Sequence, residues 1–399
     1  MPLGISQKCL RIAPSATFAM DAKAKALAAS GVKVIGFAAG EPDFDTPVAI
    51  RDAMKDALDR GQTRYSPVSG TMELRGAIAD KLKRDSGLAY VRDEIIVSNG
   101  AKHSLYTIFQ SILDDGDQVI IPAPCWVSYP EMVCMAGGVP VFVDAAEREG
   151  FIPSPDRIAA AVTERTKAFV LNTPSNPSGS VWARESLQAL AQLAVKNDFY
   201  IVSDEIYDKL LYDGAEHVSV ASLSDEAKKR VLLVNGVSKT YAMTGFRIGY
   251  TAGPRDVIEA MGTYQSQATS GPNTPAQHAA AIALSMPQDC VDEMRQAFEA
   301  RRNQMVGGIN AIDGLSCIKP DGAFYVMLNI TALLGKKHGD TLINSSATFA
   351  EALLESAHVA VVPGNAFMAE GYCRVSYAAS AEQIAEGLRR IALFVEQLH

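Results

Sequence analysis

Ala168-Phe169-Val170-Leu171-Asn172 and Tyr200-Ile201-Val202-Ser203-Asp204 stand on either side of Ser186–Asn197, SLQALAQLAVKN, and this stretch decides the fold. The two outer runs are continuous in Val, Ile, Leu and Phe and too short for helices, so they read as strands covered on both faces, as parallel strands are. The segment between them carries its apolar residues at helical spacing. Strand, helix, strand in that order is the mark of an α/β sheet.

Working outward, the same alternation runs from about residue 90 to 255. It predicts further strands at Glu94–Ser98, Gln118–Ile121, Val139–Val143, Arg230–Asn235 and Arg247–Ala252, and a helix at His103–Leu113 following Asn99-Gly100. The expectation is an α/β fold whose large lobe holds a mostly parallel seven-stranded sheet. Beyond residue 290 the texture changes to a charged helix (Glu293–Gly308), an apolar strand (Ala323–Leu328), a helix (Ala347–Ala357), a strand pair and a terminal helix. That is α+β composition and predicts a smaller second lobe. Residues 45–289 are expected to form the large domain and 290–399 the small C-terminal one. Residues 1–44 are expected to pack with the small domain, because a unit of that size has too little core to stand alone.

At 399 residues, 48% hydrophobic and 21% charged, the chain is long enough for two cored lobes and excludes disorder and fibres. Its 37 Lys+Arg against 45 Asp+Glu give a formal charge of −8, the wrong sign for a nucleic-acid or anionic-membrane partner. The basic runs Lys81–Arg84 and Lys228–Arg230 read as solvated helix surface. Six cysteines, at 9, 125, 134, 290, 317 and 373, form no CxxC pair and read as buried thiols, with no metal site expected. Apolar stretches stop short of membrane-spanning length, and Lys8, Arg11, Asp21 and Lys23 interrupt any leader-like core, so the cytoplasm is the expected address.

An open α/β sheet binds its ligand beyond the carboxyl ends of its strands. Asn172–Gly179 (NTPSNPSG), Ser203–Tyr207 and Asn235–Lys239 follow three strands expected to be neighbours, and supply an amide, an acid with a phenol three residues on, and an amine. Pyridoxal phosphate, with its aldehyde, pyridine nitrogen, phenolic oxygen and phosphate, would use every member of that set. The phosphate needs an anion site, and two converge. Ser98-Asn99-Gly100-Ala101-Lys102 lies between a strand and a helix, where free N–H groups and the helix dipole favour anions. Ser238 and the planar donor fork of Arg247 are the second. Taken singly, each residue has a commoner fate. Lys239 could be a surface lysine, Asp204 a helix cap or turn residue, and Arg374 a surface ion pair. Trp126 could be core, Tyr65 turn packing beside Pro67, Lys102 a solvated helix-start lysine and His103 a pocket-lining or core residue.

Together these segments resemble the fold-type I, class I aminotransferases of the aspartate aminotransferase group, closest to the bacterial type. Ser238–Tyr250 (SKTYAMTGFRIGY) is similar to that family's lysine signature, and Gly40-Glu41-Pro42-Asp43-Phe44, the Asn-Pro-Ser-Gly loop, Ser203–Tyr207 and Trp126–Met132 follow in the family's order. The likeness extends from Pro14-Ser15-Ala16-Thr17 to Arg374-Val375-Ser376-Tyr377. It implies that Lys239 is the Schiff-base lysine and proton shuttle, that Asp204 binds the pyridine nitrogen, and that Tyr207 and Asn176 bind the ring oxygen. Trp126 would stack on the ring, and Gly100, Ala101, Lys102, Ser238 and Arg247 would line the cofactor and its phosphate. Tyr65 is similar to the tyrosine that reaches the phosphate of the neighbouring subunit, which implies a homodimer with shared active sites. Substrate contacts are implied for Arg374, Asn176, Gly40 and Trp126 at the α-carboxylate end, and for Lys102 and Thr17 at the distal carboxylate.

The implied reaction is aspartate plus 2-oxoglutarate to oxaloacetate plus glutamate, by a ping-pong mechanism on small amino and 2-oxo acids. Position 13 is Ala where members that also take prephenate commonly carry Lys. Cys125, Phe246 and His103 replace common residues near the pocket, and Gly236 lacks the hydroxyl that other subgroups place on the phosphate. Alternatives from other classes are an aminotransferase of aromatic amino acids, a carbon–sulfur β-lyase on the same scaffold, and a non-catalytic cofactor-binding module, which is usually fused to a basic DNA-binding segment. A nicotinamide-dependent reductase shares the alternation but lacks a GxGxxG after a strand.

Overall fold

The runs around Asn172 and Asp204 are neighbouring parallel strands in a computed structural model that describes residues 4–399; residues 1–3 of the expected N-terminal segment lie outside the described residues. The large sheet comprises β1 (Ile95–Ser98), β2 (Gln118–Ala123), β3 (Val139–Asp144), β4 (Thr166–Asn172), β5 (Tyr200–Asp204), β6 (Val231–Gly236) and β7 (Gly249–Ala252), in the order β1-β7-β6-β5-β4-β2-β3. Only β7 runs against the rest, pairing antiparallel with both β1 and β6. Alternate residues of one strand serve opposite faces: Phe169 and Leu171 join one apolar cluster, Ala168 and Val170 another. That two-sided burial explains why these strands lack a polar alternation.

Helix α1 (Ala16–Ala29) packs with the C-terminal elements, whereas other helices cover both faces of the sheet, among them α2 (Met72–Ser86), α3 (Ala101–Ile112) and α4 (Arg184–Asn197). Helix α2 starts where the Thr71 hydroxyl accepts the Leu74 N–H and stops at Gly87 with φ 68°. Beyond the sheet lie α5 (Asp289–Asn310), α6 (Ser346–Ala357) and α7 (Ala381–Glu396) around a three-stranded antiparallel sheet of β8 (Tyr325–Asn329), β9 (Val362–Pro363) and β10 (Tyr372–Ser376). The N-terminal residues Met20, Ala24, Ile35 and Phe37 share one apolar cluster with Phe349, Leu353, Ile384 and Phe394. Ile35 and Gly36 pair in parallel with Val359 and Ala360. Gly387 of α7 lets this packing close, since a Cβ there would lie 2.3 Å from the Phe37 ring. Among the described residues, no helix is long and apolar enough to cross a membrane.

Several expectations need correction. Arg247 precedes its strand instead of starting it and takes φ 56°, a turn conformation that returns its side chain toward α3. Ala323 likewise sits at φ 59° ahead of β8. Strand β3 is only partly covered, because it is the sheet edge. Lys81 is not solvated surface but 4% exposed, facing into the protein from a helix whose neighbouring Lys83 is exposed. Of the six cysteines, all free, only Cys125, Cys317 and Cys373 are buried; Cys9 is exposed in a one-turn helix that buries no residue, and Cys134 is exposed in the last turn of its helix.

Candidate active site

The strand ends of β4, β5 and β6 open into a cleft of about 690 Å³ closed on its other side by the N-terminal segment and β10. Ala101, Lys102, Trp126, Asn176, Asp204, Tyr207, Ser238, Lys239, Arg247, Arg374, Gly40 and Thr17 all line it. Residues from positions 17 to 374 thus meet in one space, although the sequence pattern predicted them separately. Tyr65 does not join them: it is 96% exposed, which rules out turn packing beside Pro67.

Lys239 sits just past β6, and its Nζ donates to the Gly40 carbonyl at 2.6 Å. Burial brings its ammonium down to about 8, with Glu41 opposing and Arg247 and Arg374 adding to the shift. Asp204 ends β5 at 4% exposure. Its Oδ2 accepts from Tyr129 Oη at 2.8 Å and its Oδ1 from the Ile206 N–H at 3.3 Å. Burial outweighs these bonds and pushes its carboxyl up to about 6. Tyr207 Oη lies 3.0 Å from Tyr325 Oη, and burial raises its phenol well above the ordinary range.

Arg374, on β10, is a buried guanidinium and not a surface ion pair. Its Nη1 donates to Asn176 Oδ1 at 3.0 Å and its Nη2 to the Ala38 carbonyl at 2.8 Å, while Nε is buried without a partner. The Tyr325 ring lies 4.4 Å from the guanidinium carbon. A buried, unmatched donor of this kind is costly unless something accepts from it. Thr17 Oγ1 is a second unpartnered polar atom on the same cleft.

At the opposite end, α3 begins at Gly100, whose φ of 84° suits glycine. The first bonds to its carbonyl come from His103 and Ser104, which leaves the N–H groups of Ala101 and Lys102 free. A Cβ at Gly100 would lie 2.3 Å from Arg247 Nη2, so the guanidinium is pressed against the helix start. Lys102 Nζ lies 4.8 Å from the Trp126 ring centroid and 5.7 Å from that of Phe18. Its ammonium is pushed down by burial and by Arg247, so a further anion would relieve it. His103 does not line the cleft: its Nδ1 accepts the Asn99 N–H at 3.2 Å, its Nε2 is buried without a partner, and burial lowers its pKa.

Sequence reasoning missed the partners. Tyr129 lies inside the quoted run after Trp126, and its ring meets the indole edge-on at 5.2 Å, yet nothing local connects it to Asp204 75 residues away. Tyr325 is 118 residues from Tyr207 and carries no motif. Glu41 and Phe18 also line the cleft. Chemically, the cleft offers an amine whose pKa burial lowers to about 8, an acid whose pKa burial raises, an anion cradle and a guanidinium with its Nε donor unpartnered.

Comparisons with known proteins place the chain in a family. The family model described as aminotransferase class I and II matches residues 32–391. An aspartate aminotransferase of Bacillus sp. (strain YM-2) is 48% identical over 98% of this chain and 99% of its own length. An aspartate/prephenate aminotransferase of Thermus thermophilus is 46% identical, covering 98% of both chains. Among solved structures, the aspartate aminotransferase of Rhizobium meliloti superposes with a TM-score of 0.96 at 42% identity, covering 100% of each chain. That of Thermus thermophilus with maleate gives 0.93 at 46% identity, over 98% of this chain and 100% of the other. The chain therefore belongs to the aminotransferase class I and II family, adopts its fold, and is an aminotransferase.

Proposed function

We propose that the enzyme moves an amino group between aspartate and 2-oxoglutarate with pyridoxal phosphate held in the cleft. The residues present fit that cofactor. The pressed pair of Arg247 and the α3 start, with Ser238 beside them, suits a phosphate; Asp204, raised to about 6, suits a protonated ring nitrogen. With its oxygen engaged by Arg374, the Asn176 amide has its N–H donors left for the ring oxygen, alongside Tyr207. Trp126 lies in the cleft wall, able to cover a ring face. Pyridoxal phosphate, when bound, supplies an aldehyde that condenses with amines and a ring that takes up the electron pair released at the substrate α-carbon.

The chain's own residues do the rest. Arg374 orients the α-carboxylate through its unpartnered Nε, with Gly40 and Asn176 beside it. Lys239 Nζ removes and returns the α-proton, and a pKa near 8 suits it to both directions. Lys102 and Thr17, at the far end, meet the second carboxylate of a dicarboxylic substrate; a relative with maleate, also a dicarboxylate, supports that reading. Nearly complete exposure of Tyr65 fits a residue that serves a partner subunit's phosphate site in a homodimer. Residues 45–289 and 290–399 are the two domains we assign, with the described residues 4–44 riding on the second, and six free thiols favour a cytoplasmic address.

The observation that carries the reading is Lys239, a half-buried amine at the cleft held by one carbonyl and brought down to about 8. Mixed with pyridoxal phosphate, the purified protein is expected to gain an absorbance band that aspartate shifts and 2-oxoglutarate restores. A protein that stays colourless ends the reading. In Lys102→Ala, KM for aspartate is expected to rise about 10-fold or more while that for a monocarboxylic amino acid changes little. An equal rise for both removes the dicarboxylate assignment.

A further inference from the structure

The five residues Asp204–Asp208 present their polar groups in two directions. Asp204 and Tyr207 line the cleft. Glu205 and Asp208 do not, yet they are 2% and 7% exposed. Glu205 Oε1 accepts from Ser203 Oγ at 2.9 Å and from Ser219 Oγ at 2.8 Å, and its Oε2 lies 2.8 Å from His217 Nε2. Asp208 accepts from the Lys81 ammonium of α2, which Asp85 also faces at 3.6 Å. Neither pair takes part in the chemistry proposed above.

We propose that Glu205 and Asp208 are positioning residues: their buried pairs with His217 and Lys81 pin the back of this turn and so hold Asp204 and Tyr207 at the depth the cleft requires. The proposal rests on the roles read for Asp204 and Tyr207. Asp204 is still held in the sheet as the last residue of β5, but the four residues after it are neither strand nor helix, and their N–H groups are tied only at intervals: Glu205 to the Val234 carbonyl at 2.8 Å, Ile206 to Asp204 Oδ1 at 3.3 Å and Asp208 to the Glu205 carbonyl at 3.0 Å. Apolar packing would fill the same space at lower cost, because buried ion pairs seldom repay their desolvation. What directional pairs add is register. An acid displaced by about 1 Å from a reacting ring costs on the order of 100-fold in rate.

The test compares Glu205→Ala with Glu205→Gln, which keeps acceptors for the two hydroxyls. In cofactor-free Glu205→Ala, amide hydrogen exchange across 204–208 is expected to quicken about tenfold or more. In the enzyme loaded with pyridoxal phosphate, kcat is expected to fall about 10- to 100-fold with KM for aspartate changed less than threefold, because Arg374 and Lys102 are untouched. Glu205→Gln should recover most of that loss. If Glu205→Ala does not fold, Ser219→Ala, which removes one hydroxyl from Glu205, is read the same way with an expected loss of about threefold. Wild-type exchange at 204–208 with wild-type kcat, whatever happens to the melting temperature, overturns the proposal. The exchange readout needs no cofactor, so it stands apart from the cleft reading, which fails only if the wild-type protein never develops its band.

Discussion

Lys81, buried, and Lys239, half-buried at the cleft, are two lysines within reach of the turn that follows β5, and they behave in opposite ways. Lys81 faces two carboxylates, Asp208 and Asp85, and their charges hold its ammonium on well above the ordinary range against the cost of burial. Lys239 faces a carbonyl, and burial wins, bringing it down to about 8, because the carboxylates of Glu41 and Asp204 that favour its charge are opposed by the guanidinium groups of Arg247 and Arg374. Residue type is the same; Lys81 is buried and Lys239 half-buried at the cleft wall, and the balance of charge around each sets the direction of its shift. A buried ion that is fully matched builds structure, whereas one left unmatched, beside an equally unmatched Arg374 Nε, awaits a ligand.

The comparison can be broken at either end. Lys239→Ala is expected to cut turnover to below about a thousandth of wild type while the cofactor-free fold stays intact, measured by steady-state assay and circular dichroism. Substantial remaining transamination would mean that the unmatched lysine is not the working amine. Lys81→Met should do the reverse, costing about 3–5 kcal/mol in urea unfolding because Asp208 is left buried without its cation. A neutral result would show that Lys81 is no more engaged than Lys239.

The smallest effect concerns Asp204. Its folded-state pKa of about 6 lies above the ordinary 3.8, so the native state binds the proton more tightly and loses stability as pH rises from about 4 to about 6. Asp204→Asn removes that loss. The melting temperature of the cofactor-free variant is expected to pull ahead of wild type across this window, by the equivalent of about 3 kcal/mol, and then to hold its lead. A lead that is constant with pH would assign Asp204 an ordinary acidity and remove it from the unmatched set.

Strand runs such as Val231–Asn235 were legible because a doubly covered strand needs unbroken apolar residues, and the polar segments after them were legible because a parallel sheet gathers its ligands at one edge. Arg374 was legible through resemblance, but its burial was not, since a strand arginine looks the same whether it meets solvent or Asn176. Lys81 was misread for the same reason. On a helix with polar neighbours it resembles solvated surface, and its partner Asp208 stands 127 residues away.

The order of amide, acid, amine and guanidinium along the chain, and the family they mark, were determined by the sequence alone, because strand propensity and motif spacing are local properties. Which charges found a partner was decided only in three dimensions. Counter-charges for Lys81 and the hydroxyl that reaches Asp204 come from segments brought together by folding, and electrostatic energy depends on distance and burial, neither of which is written in residue order.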